Sequence, residues 1–369
     1  MHRSGPIPFD DVVETALYGE GGFYASGRGA GRSRDFLTSP EVGPLFGAVL
    51  GRALDSWWDE IGSPDPFLVV EVGAGVGTLC RDIVASRPRC TSALRYLLVE
   101  RSDALRDQHA AHVPVEPAAF VLGPTFDDGV DEDGLRHAPG RGPLFASLPD
   151  LPAVAIRGVI LANELFDNMA FRLVERTPEG WAEVRAGATA DGPLAEVLVP
   201  ADPALAQEAD RLVGPDVDVS ARIPLQHAAG EWLGRARRAL EGGRIVAIDY
   251  ATPTYELARR PSHEWVRTYR GGGRGGRPLE ALGSQDITCE VCPDQLARIA
   301  SPTQDRSQAD FLRAHGVEAL VDQARADWAA GAATGSLDGL KAQSRVGEAN
   351  ALLDPAGLGG FRVLEWVRN

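Results

Sequence analysis

A buried strand that runs into three closely spaced glycines constrains the fold of this 369-residue chain more than any other feature. Residues 67–72 (Phe-Leu-Val-Val-Glu-Val) are almost entirely apolar, which is typical of a parallel strand covered on both faces. Gly73, Gly75 and Gly77 follow, and residues 78–86 have the pattern of a helix. The order strand, glycine turn, helix predicts the first unit of a doubly wound α/β sheet.

Later segments continue the alternation of strands and helices. Further strands are predicted at 96–99, 120–122, 158–162, 244–250 and 361–367, with a hairpin on the sheet edge at 171–175 and 181–184. Helices are predicted at 103–111, at 225–240 and over most of 294–352. The segments 123–152 and 267–278 are rich in glycine and are predicted to be loops.

These elements predict three parts of the chain. Residues 1–63 are expected to form a helical cap with a glycine-rich loop. Residues 64–250 are expected to form a Rossmann-like core with insertions. Residues 251–369 are expected to supply substrate-side loops, a helical region and a closing strand.

The spacing of the glycines bears on the ligand. It is GxGxG, whereas the dinucleotide fingerprint GxGxxG places its third glycine for packing around a pyrophosphate. S-adenosylmethionine has no phosphate, and Glu71 could hold its amino group while favouring its sulfonium charge. Glu100, at the end of the second predicted strand, could accept both ribose hydroxyls. S-adenosylmethionine is therefore the predicted cofactor, with an NAD-dependent oxidoreductase as the alternative.

Three polar residues follow the strand at 158–162. Ligands of open α/β sheets bind outside the carboxyl ends of the strands, so Asn163 and Glu164 should meet Glu71 and Glu100 in one crevice. Asn163 could bind the cofactor, while Glu164 and Asp167 could orient a cationic substrate and accept its proton. A capped helix start would explain the same residues, with Asn163 as the cap and the carboxylates facing the helix dipole.

Residues 34–41 (Arg-Asp-Phe-Leu-Thr-Ser-Pro-Glu) also permit two interpretations. Ser39 as a cap, Pro40 in the first turn and Glu41 at the positive end of the dipole predict a helix that continues to Trp57. That interpretation gives no role to Asp35 or Thr38. The residues alone leave a functional loop equally open.

The composition of the chain bears on its binding partners and on its location in the cell. The net charge of −15 argues against non-specific electrostatic binding of nucleic acid and suits a protein partner that carries arginine. No membrane span is expected, and the N-terminus resembles neither a secretory signal nor a transit peptide, so a cytoplasmic protein is expected. Cys289 and Cys292 could be half a zinc site, but the second pair is missing and no metal is expected. A homodimer is left open.

Blocks along most of the chain match one known family. They lie at 5–9, 16–18, 22–24, 35–42, 45–47, 71–79, 98–102, 162–167, 248–250, 286–288, 303–304, 311–312 and 361–364. On these blocks the chain resembles the MidA-like methyltransferases, whose mitochondrial members are protein arginine methyltransferases acting in assembly of respiratory complex I. The blocks at 35–42 and 163–167 are specific to that family, unlike the glycine motif.

The resemblance implies a class I S-adenosylmethionine-dependent methyltransferase core with helical N- and C-terminal additions. It implies that the loop at 35–41 covers the cofactor and that the substrate is a protein arginine. The implied cofactor residues are Asp35, Thr38, Ser39, Glu71, Gly73, Gly75, Gly77, Thr78, Leu79, Glu100 and Asn163. The carboxylates that would orient the guanidinium and take its proton are Glu164, Asp167 and Asp249.

The chain departs from the family on the side expected to bind substrate. Asn168-Met169-Ala170 replace Ala-Leu-Pro, Ala251 replaces a glycine, and Cys289-Glu290-Val291-Cys292 replace Ala-His-Val-Asp. These changes leave the acceptor open. The alternatives are a cofactor-binding assembly factor or chaperone with little catalysis, and a methyltransferase with a different acceptor. RNA is the lesser option, raised by the arginines at 267–277.

Overall fold

A seven-stranded mixed sheet forms the centre of the computed structural model, which describes residues 5–28, 38–123, 125–126, 138–139, 142–188, 193–331 and 337–369. Its strands are β1 (Phe67–Val72), β2 (Leu94–Val99), β3 (Leu144–Leu148), β4 (Ile156–Asn163), β5 (Leu240–Asp249), β6 (Gln304–Ser307) and β7 (Arg362–Arg368). The order across the sheet is β3-β2-β1-β4-β5-β7-β6. Strands β1 to β5 are parallel, and β7 is antiparallel to both of its neighbours.

Helices cover both faces of this sheet, because alternate side chains of each buried strand point to opposite sides. Val69 of β1 joins a core that contains the helix Pro44–Glu60. The next residue, Val70, joins a separate core with the helix His227–Ala239. The sheet is therefore doubly wound, as the strand–glycine–helix pattern predicts.

The helices of the described chain are spread along its length. They are Phe9–Tyr18, Ser39–Val42, Pro44–Glu60, Thr78–Ala85, Asp103–Arg106, Ala118–Val121, Pro203–Val213, His227–Ala239, Thr254–Leu257, Pro293–Ile299, Gln308–Ala314, Val317–Gly331 and Leu337–Leu353. Short 3₁₀ turns lie at Tyr24–Ser26, Arg89–Ala93, His109–Ala111, Phe166–Asn168, Ser262–Glu264 and Leu358–Gly360. Within the described ranges, no helix is long and apolar enough to cross a membrane.

Smaller sheets lie apart from the central one. An antiparallel sheet contains Ile7–Pro8, Arg172–Thr177, Gly180–Ala188, Leu194–Pro200 and Arg222–Leu225. A three-stranded sheet contains Val266–Arg270, Gly273–Arg274 and Asp286–Cys289, and Thr125–Phe126 pairs with Ala138–Pro139. Phe9, Leu173 and Ile287 share one apolar core, which joins the first helix to the two larger accessory sheets.

One strand prediction and one loop prediction are wrong. Residues 118–121 form a helix after Pro117, and the third strand of the sheet is Leu144–Leu148, inside the segment predicted to be a loop. A short apolar run does not distinguish helix from strand, and pairing with β2 decides the outcome. The hairpin of Arg172–Thr177 and Gly180–Ala188 does form, but it belongs to the antiparallel sheet and not to the edge of the central one.

Two further local predictions need correction. The helix expected from Ser39 to Trp57 is interrupted at Gly43 (φ 160°, ψ 179°) and resumes at Pro44. Within the segment 267–278, predicted to be a loop, Arg270 and Gly273 pair across Gly271 and Gly272. Both turn glycines have positive φ, 59° and 80°, which is the requirement of a tight two-residue hairpin turn. The division of the chain at 63 and 250 stays a prediction, and the central sheet takes β6 and β7 from beyond residue 250.

The contact between β1 and β4 leaves no room for a side chain at Gly158. A Cβ there would lie 1.9 Å from the carbonyl oxygen of Leu68, and φ is 155°. We expect Gly158→Ala to lower the free energy of unfolding by about 2–3 kcal/mol through overpacking and backbone strain. Gly347→Ala is the matched control, because it lies in a helix with open space around its Cα and should be neutral or slightly stabilising. Melting temperatures of the two variants test this, and equal values would contradict it.

Candidate active site

The glycine turn after β1 has a backbone that only glycine adopts readily. Gly73, Gly75 and Gly77 have φ of 73°, 56° and 94°. The amides of Gly73 and Ala74 both donate to the carbonyl of Val99, at 2.9 and 3.1 Å, which ties the turn to the end of β2. A Cβ at Gly75 would meet nothing within 4 Å, so this part of the turn faces open space.

Two buried side chains hold the turn in place. Glu100 accepts from the amide of Gly75 at 3.0 Å and from the amide of Ser102 at 2.8 Å. His109 Nε2 lies 2.9 Å from the carbonyl oxygen of Gly75, and its Nδ1 lies 2.8 Å from Ser147 Oγ. Because a carbonyl only accepts, Nε2 carries the proton and Nδ1 accepts from the hydroxyl. Burial lowers the pKa of His109, which favours this neutral form.

A cleft of about 630 Å³ opens beside the glycine turn. Of the predicted cofactor residues, those that line it are Thr38, Glu71, Gly73, Gly75, Thr78, Leu79, Glu100 and Asn163. Ser39 and Gly77 are not among the lining residues, and Asp35 lies outside the described residues. Pro40 and Glu41 also line the cleft, and Thr78 donates to Glu41 at 2.7 Å. The segment 38–41 thus forms one wall of this cleft.

The cleft has the size and polarity that S-adenosylmethionine requires. Its volume lies within the usual range of small-molecule sites, roughly 300–1,000 Å³. Asn163 Oδ1 is buried and, within the described ranges, has no hydrogen-bond partner, so it is available to a ligand donor. Glu71 accepts from the hydroxyl of Tyr96 at 2.7 Å, and burial raises the pKa of Glu71 to about 8. A cationic ligand nearby would favour its ionised form.

Glu164 connects the end of β4 to the segment at residue 39. Its backbone has φ of 50°, and its amide donates to the carbonyl of Ile248 at 2.8 Å. Its Oε1 accepts from the amide of Ser39 at 3.0 Å and from Asn163 Nδ2 at 3.2 Å. Ser39 Oγ donates to Gln308 at 3.1 Å, so Ser39 is not the predicted helix cap. Burial raises the pKa of Glu164 to about 8, which brings its titration close to neutral pH.

A second cavity, of about 760 Å³, lies on the other side of Glu164, and we name it the acidic cavity. Glu164 and Asn168 line both the cleft and the acidic cavity, so the two adjoin. The other polar lining residues include Asp167, Tyr250, Asp286, Thr288 and Glu290. Burial raises the pKa of Asp286 to about 8. It also raises the pKa of Asp167.

Several oxygens of the acidic cavity have no donor. Tyr250 donates to Asp167 Oδ2 at 2.7 Å, and Asn168 Nδ2 donates to Asp286 Oδ1 at 3.0 Å. Asp167 Oδ1, Asp286 Oδ2 and Thr288 Oγ are buried and have no hydrogen-bond partner in the part of the chain that is described. Buried polar atoms are normally satisfied, so unmatched acceptors at a cavity wall indicate a ligand that brings donors.

Asp249, the third predicted catalytic carboxylate, lines neither the cleft nor the acidic cavity. It accepts from the amides of Phe166, Asp167 and Tyr250 at 3.1, 3.3 and 3.0 Å. Burial and the charge of Asp167 raise the pKa of Asp249. Asp249 therefore fixes the turn that carries Glu164 and Asp167.

Several residues of the site were not predicted as such from the sequence. Asp286 and Tyr250 lie inside blocks that match the family, and Asn168 departs from the family pattern, but no sequence pattern assigns these residues a role in the site. The sequence gives no indication of a role for His109. A lone histidine on a helical segment gives no local signal, and the fold alone brings it to Gly75. Cys289 and Cys292 are buried, and burial raises the pKa of both thiols. The described residues contain no group of three His, Cys, Asp or Glu placed to hold a metal ion.

The contact between His109 and Gly75 gives a test of the cleft. Replacing His109 by Ala leaves the carbonyl of Gly75 without its donor and loosens the turn. We expect S-adenosylmethionine to bind about tenfold more weakly, which corresponds to the loss of one net hydrogen bond. Isothermal titration calorimetry measures this, with exposed His263→Ala as the control. Equal affinities of the two variants would remove His109 from this role.

The comparisons with known proteins agree with this geometry. A family model described as an S-adenosyl-L-methionine-dependent methyltransferase matches residues 49–311. A COG1565 superfamily protein from Burkholderia thailandensis, crystallised with S-adenosyl-homocysteine, has a TM-score of 0.79 at 26% identity, over 99% of this chain and 88% of that one. Protein arginine methyltransferase NDUFAF7, a mitochondrial protein of Mus musculus, is 28% identical over 94% of this chain and 80% of its own length. Its counterpart in Rattus norvegicus is 29% identical over 88% and 75%.

These matches confirm the predicted class I methyltransferase fold and the predicted cofactor, S-adenosylmethionine, in place of NAD. The chain belongs to this family of S-adenosylmethionine-dependent methyltransferases, the family that its sequence blocks resemble.

Proposed function

We propose that this methyltransferase acts on the side chain of a protein arginine. The observation that carries the proposal is the acidic cavity, whose unmatched carboxylate oxygens adjoin the cofactor cleft at Glu164. The relatives in Mus musculus and Rattus norvegicus are named protein arginine methyltransferases, which supports it. Both are mitochondrial proteins and lend no support to the cytoplasmic address predicted from the sequence, which remains a proposal.

The donors and charge of a guanidinium suit this cavity. A guanidinium is planar and cationic, with five N–H donors and no acceptor. Asp167 Oδ1 and Asp286 Oδ2 are acceptors that have no hydrogen-bond partner among the described residues. Lysine would bring a point charge with three donors and lacks the planar fork with which a guanidinium reaches two acceptors at once.

Glu164 is suited to take the proton of the reacting nitrogen. Bound S-adenosylmethionine would supply the methyl group, whose bond to the sulfonium breaks as its bond to the guanidinium nitrogen forms and S-adenosylhomocysteine leaves. Glu164 lies where the cleft and the acidic cavity meet, and its pKa of about 8 is near the working pH of an enzyme base. Asp167 would orient the guanidinium, and Asp249 would act as a positioning residue through its three backbone contacts.

Removing the charge of Glu164 tests the assignment. Glu164→Gln keeps an oxygen for the amide of Ser39 but cannot accept a proton, so transfer should fall by at least about a hundredfold. The affinity for S-adenosylmethionine should change little. The assay incubates the protein with labelled donor and cell lysate and detects methylarginine by mass spectrometry. Exposed Glu318→Gln is the control, and turnover retained by Glu164→Gln would exclude Glu164 as the base.

The same assay separates the alternatives. Tight donor binding by the wild-type chain without any labelled product would support an assembly factor or chaperone. Label on a different acceptor would support methyltransferase activity and exclude arginine as the acceptor.

The raised pKa of Glu164 also predicts a dependence on pH. The base must be ionised, and its carboxyl is protonated below about pH 8, so activity is lost as the pH falls. The guanidinium does not titrate in this range. We expect kcat/KM for the acceptor to fall about tenfold per pH unit below about pH 7.5. Initial rates between about pH 6 and pH 9 measure the profile, and a flat profile would contradict the assignment.

A further inference from the structure

A third cavity, of about 890 Å³, lies beside the hairpin of Val266–Arg270 and Gly273–Arg274, and we name it the basic cavity. Its charged lining residues are Arg222, Arg260, Arg267, Arg274, Arg277, Glu196, Glu264 and Glu280, together with His263. Arg260, Arg267 and Arg274 line both this cavity and the acidic cavity. The basic cavity therefore continues the acidic cavity on its side away from the cofactor cleft.

Three of the five arginines are neutralised by carboxylates of the chain. Arg222 pairs with Glu175 and Glu196 at 2.7 and 2.8 Å. Arg260 and Arg267 both pair with Glu290, at 2.9 and 2.7 Å.

Arg274 and Arg277 are different. Both side chains are exposed, and neither forms an ion pair within the described ranges. Arg274 lies over the ring of Tyr269 with 5.4 Å between the guanidinium carbon and the ring centroid. Among the described residues, the lining of this cavity thus holds two cations outside any ion pair, beside one such carboxylate, Glu280, which accepts from the amide of Arg277 at 3.3 Å.

The backbone that carries these two arginines is fixed. Gln285, which is buried, accepts from the amide of Gly276 at 3.0 Å and donates to the carbonyl of Arg277 at 2.8 Å. Thr268 donates to the carbonyl of Gly276 at 2.6 Å. Arg274 is paired with Tyr269 in the hairpin register. The backbone that carries the two cations is therefore ordered, so a ligand that binds them has to order only the two side chains.

We propose that Arg274 and Arg277 select the acceptor, by binding an aspartate or glutamate a few residues from the target arginine. The proposal rests on the proposed function, since it places the target guanidinium in the acidic cavity and the acid of the same segment in the basic cavity. The sign of the charge changes between two adjoining cavities, and a peptide with an arginine and a nearby acid has the complementary order. Phe9, Leu173 and Leu279 add apolar wall to the basic cavity, which suits a peptide backbone between the two charges.

Nucleic acid fits this pair of cavities less well. An RNA strand carries phosphates at every step, and those beside the target would lie against Asp167, Asp286 and Glu164. Two arginines without an ion pair among the described residues also provide little positive charge for binding phosphates, in a chain whose net charge is negative.

The test uses the full chain, labelled S-adenosylmethionine and a pool of peptides with one central arginine and randomised flanks. The variants are the double substitution Arg274→Gln/Arg277→Gln and, as the matched control, Arg270→Gln. Arg270 is exposed on the same hairpin but lines neither the basic nor the acidic cavity. Sequencing of the methylated peptides by mass spectrometry gives the residues enriched around methylarginine.

The wild-type chain and Arg270→Gln should favour acidic flanks by about three- to tenfold in kcat/KM, mainly through KM, as expected for two exposed ion pairs. The double variant should accept acidic and neutral peptides equally. The wild-type preference should shrink in about 1 M salt, where the Debye length is about 3 Å.

Each outcome is decisive for one of the two proposals. Methylarginine without enrichment of acidic flanks, or an acidic preference kept by the double variant, overturns the role of Arg274 and Arg277 and leaves the proposed function standing. Absence of methylarginine from both the peptide pool and a cell lysate overturns the proposed function, and the selection with it. Inhibition of peptide methylation by an RNA oligonucleotide at lower concentration than by an acidic peptide would assign the basic cavity to nucleic acid.

Discussion

Burial of carboxylates at the carboxyl ends of the parallel strands is the constraint on which the rest of the site depends. Glu71 is the residue before the last of β1, Glu164 follows β4 and Asp249 ends β5, so the topology alone places three acids at one edge. A buried carboxylate is costly unless donors surround it. The fold supplies them from Tyr96 to Glu71, from Ser39 and Asn163 to Glu164, and from three amides to Asp249. Even so, burial raises the pKa of Glu71 and Glu164 to about 8, so the protein alone disfavours their ionised forms at neutral pH and a cationic ligand would stabilise them.

That constraint explains how much of the fold could be predicted from sequence. β1, β4 and β5 are covered on both faces and contain apolar runs, so all three are predicted as strands. The prediction for β1 has the observed bounds, whereas those for β4 and β5 begin two and four residues late. β3 was missed because Leu144–Leu148 is short and lies in a segment rich in glycine and proline. Its identity as a strand comes from pairing with β2, which no local pattern records. The hairpin at Gly271 and Gly272 was missed for a related reason, since paired glycines permit both a flexible loop and a tight turn.

The same division applies to the site. Residues near the strand ends could be predicted, because position on a parallel strand fixes the edge at which a side chain lies. Asp286 and His109 could not, because they reach Asn168 and Gly75 across long stretches of chain. Ser39 is a case in which the sequence predicts a local role that the folded chain does not have. Its sequence context matches a helix cap, yet its amide donates to Glu164 and its hydroxyl to Gln308, contacts that only the folded chain creates.

Two of the residues that depart from the family pattern, Asn168 and Glu290, make contacts in the acidic cavity. Asn168, where the family has alanine, donates to one oxygen of Asp286 and accepts from the hydroxyl of Tyr24 at 3.0 Å. Asn168 therefore satisfies one oxygen of Asp286, and the other oxygen has no hydrogen-bond partner among the described residues. Glu290, where the family has histidine, pairs with both Arg260 and Arg267 at the boundary between the acidic and basic cavities, and Glu264 supplies a second negative charge to Arg260. With those two arginines occupied, the positive charge left for a ligand is displaced outward to Arg274 and Arg277. The substituted residues thus bear on both sides of the site. Asn168, Met169 and Ala170 line the cofactor cleft, Asn168 also lines the acidic cavity, and Glu290 holds two of the arginines between the acidic and basic cavities.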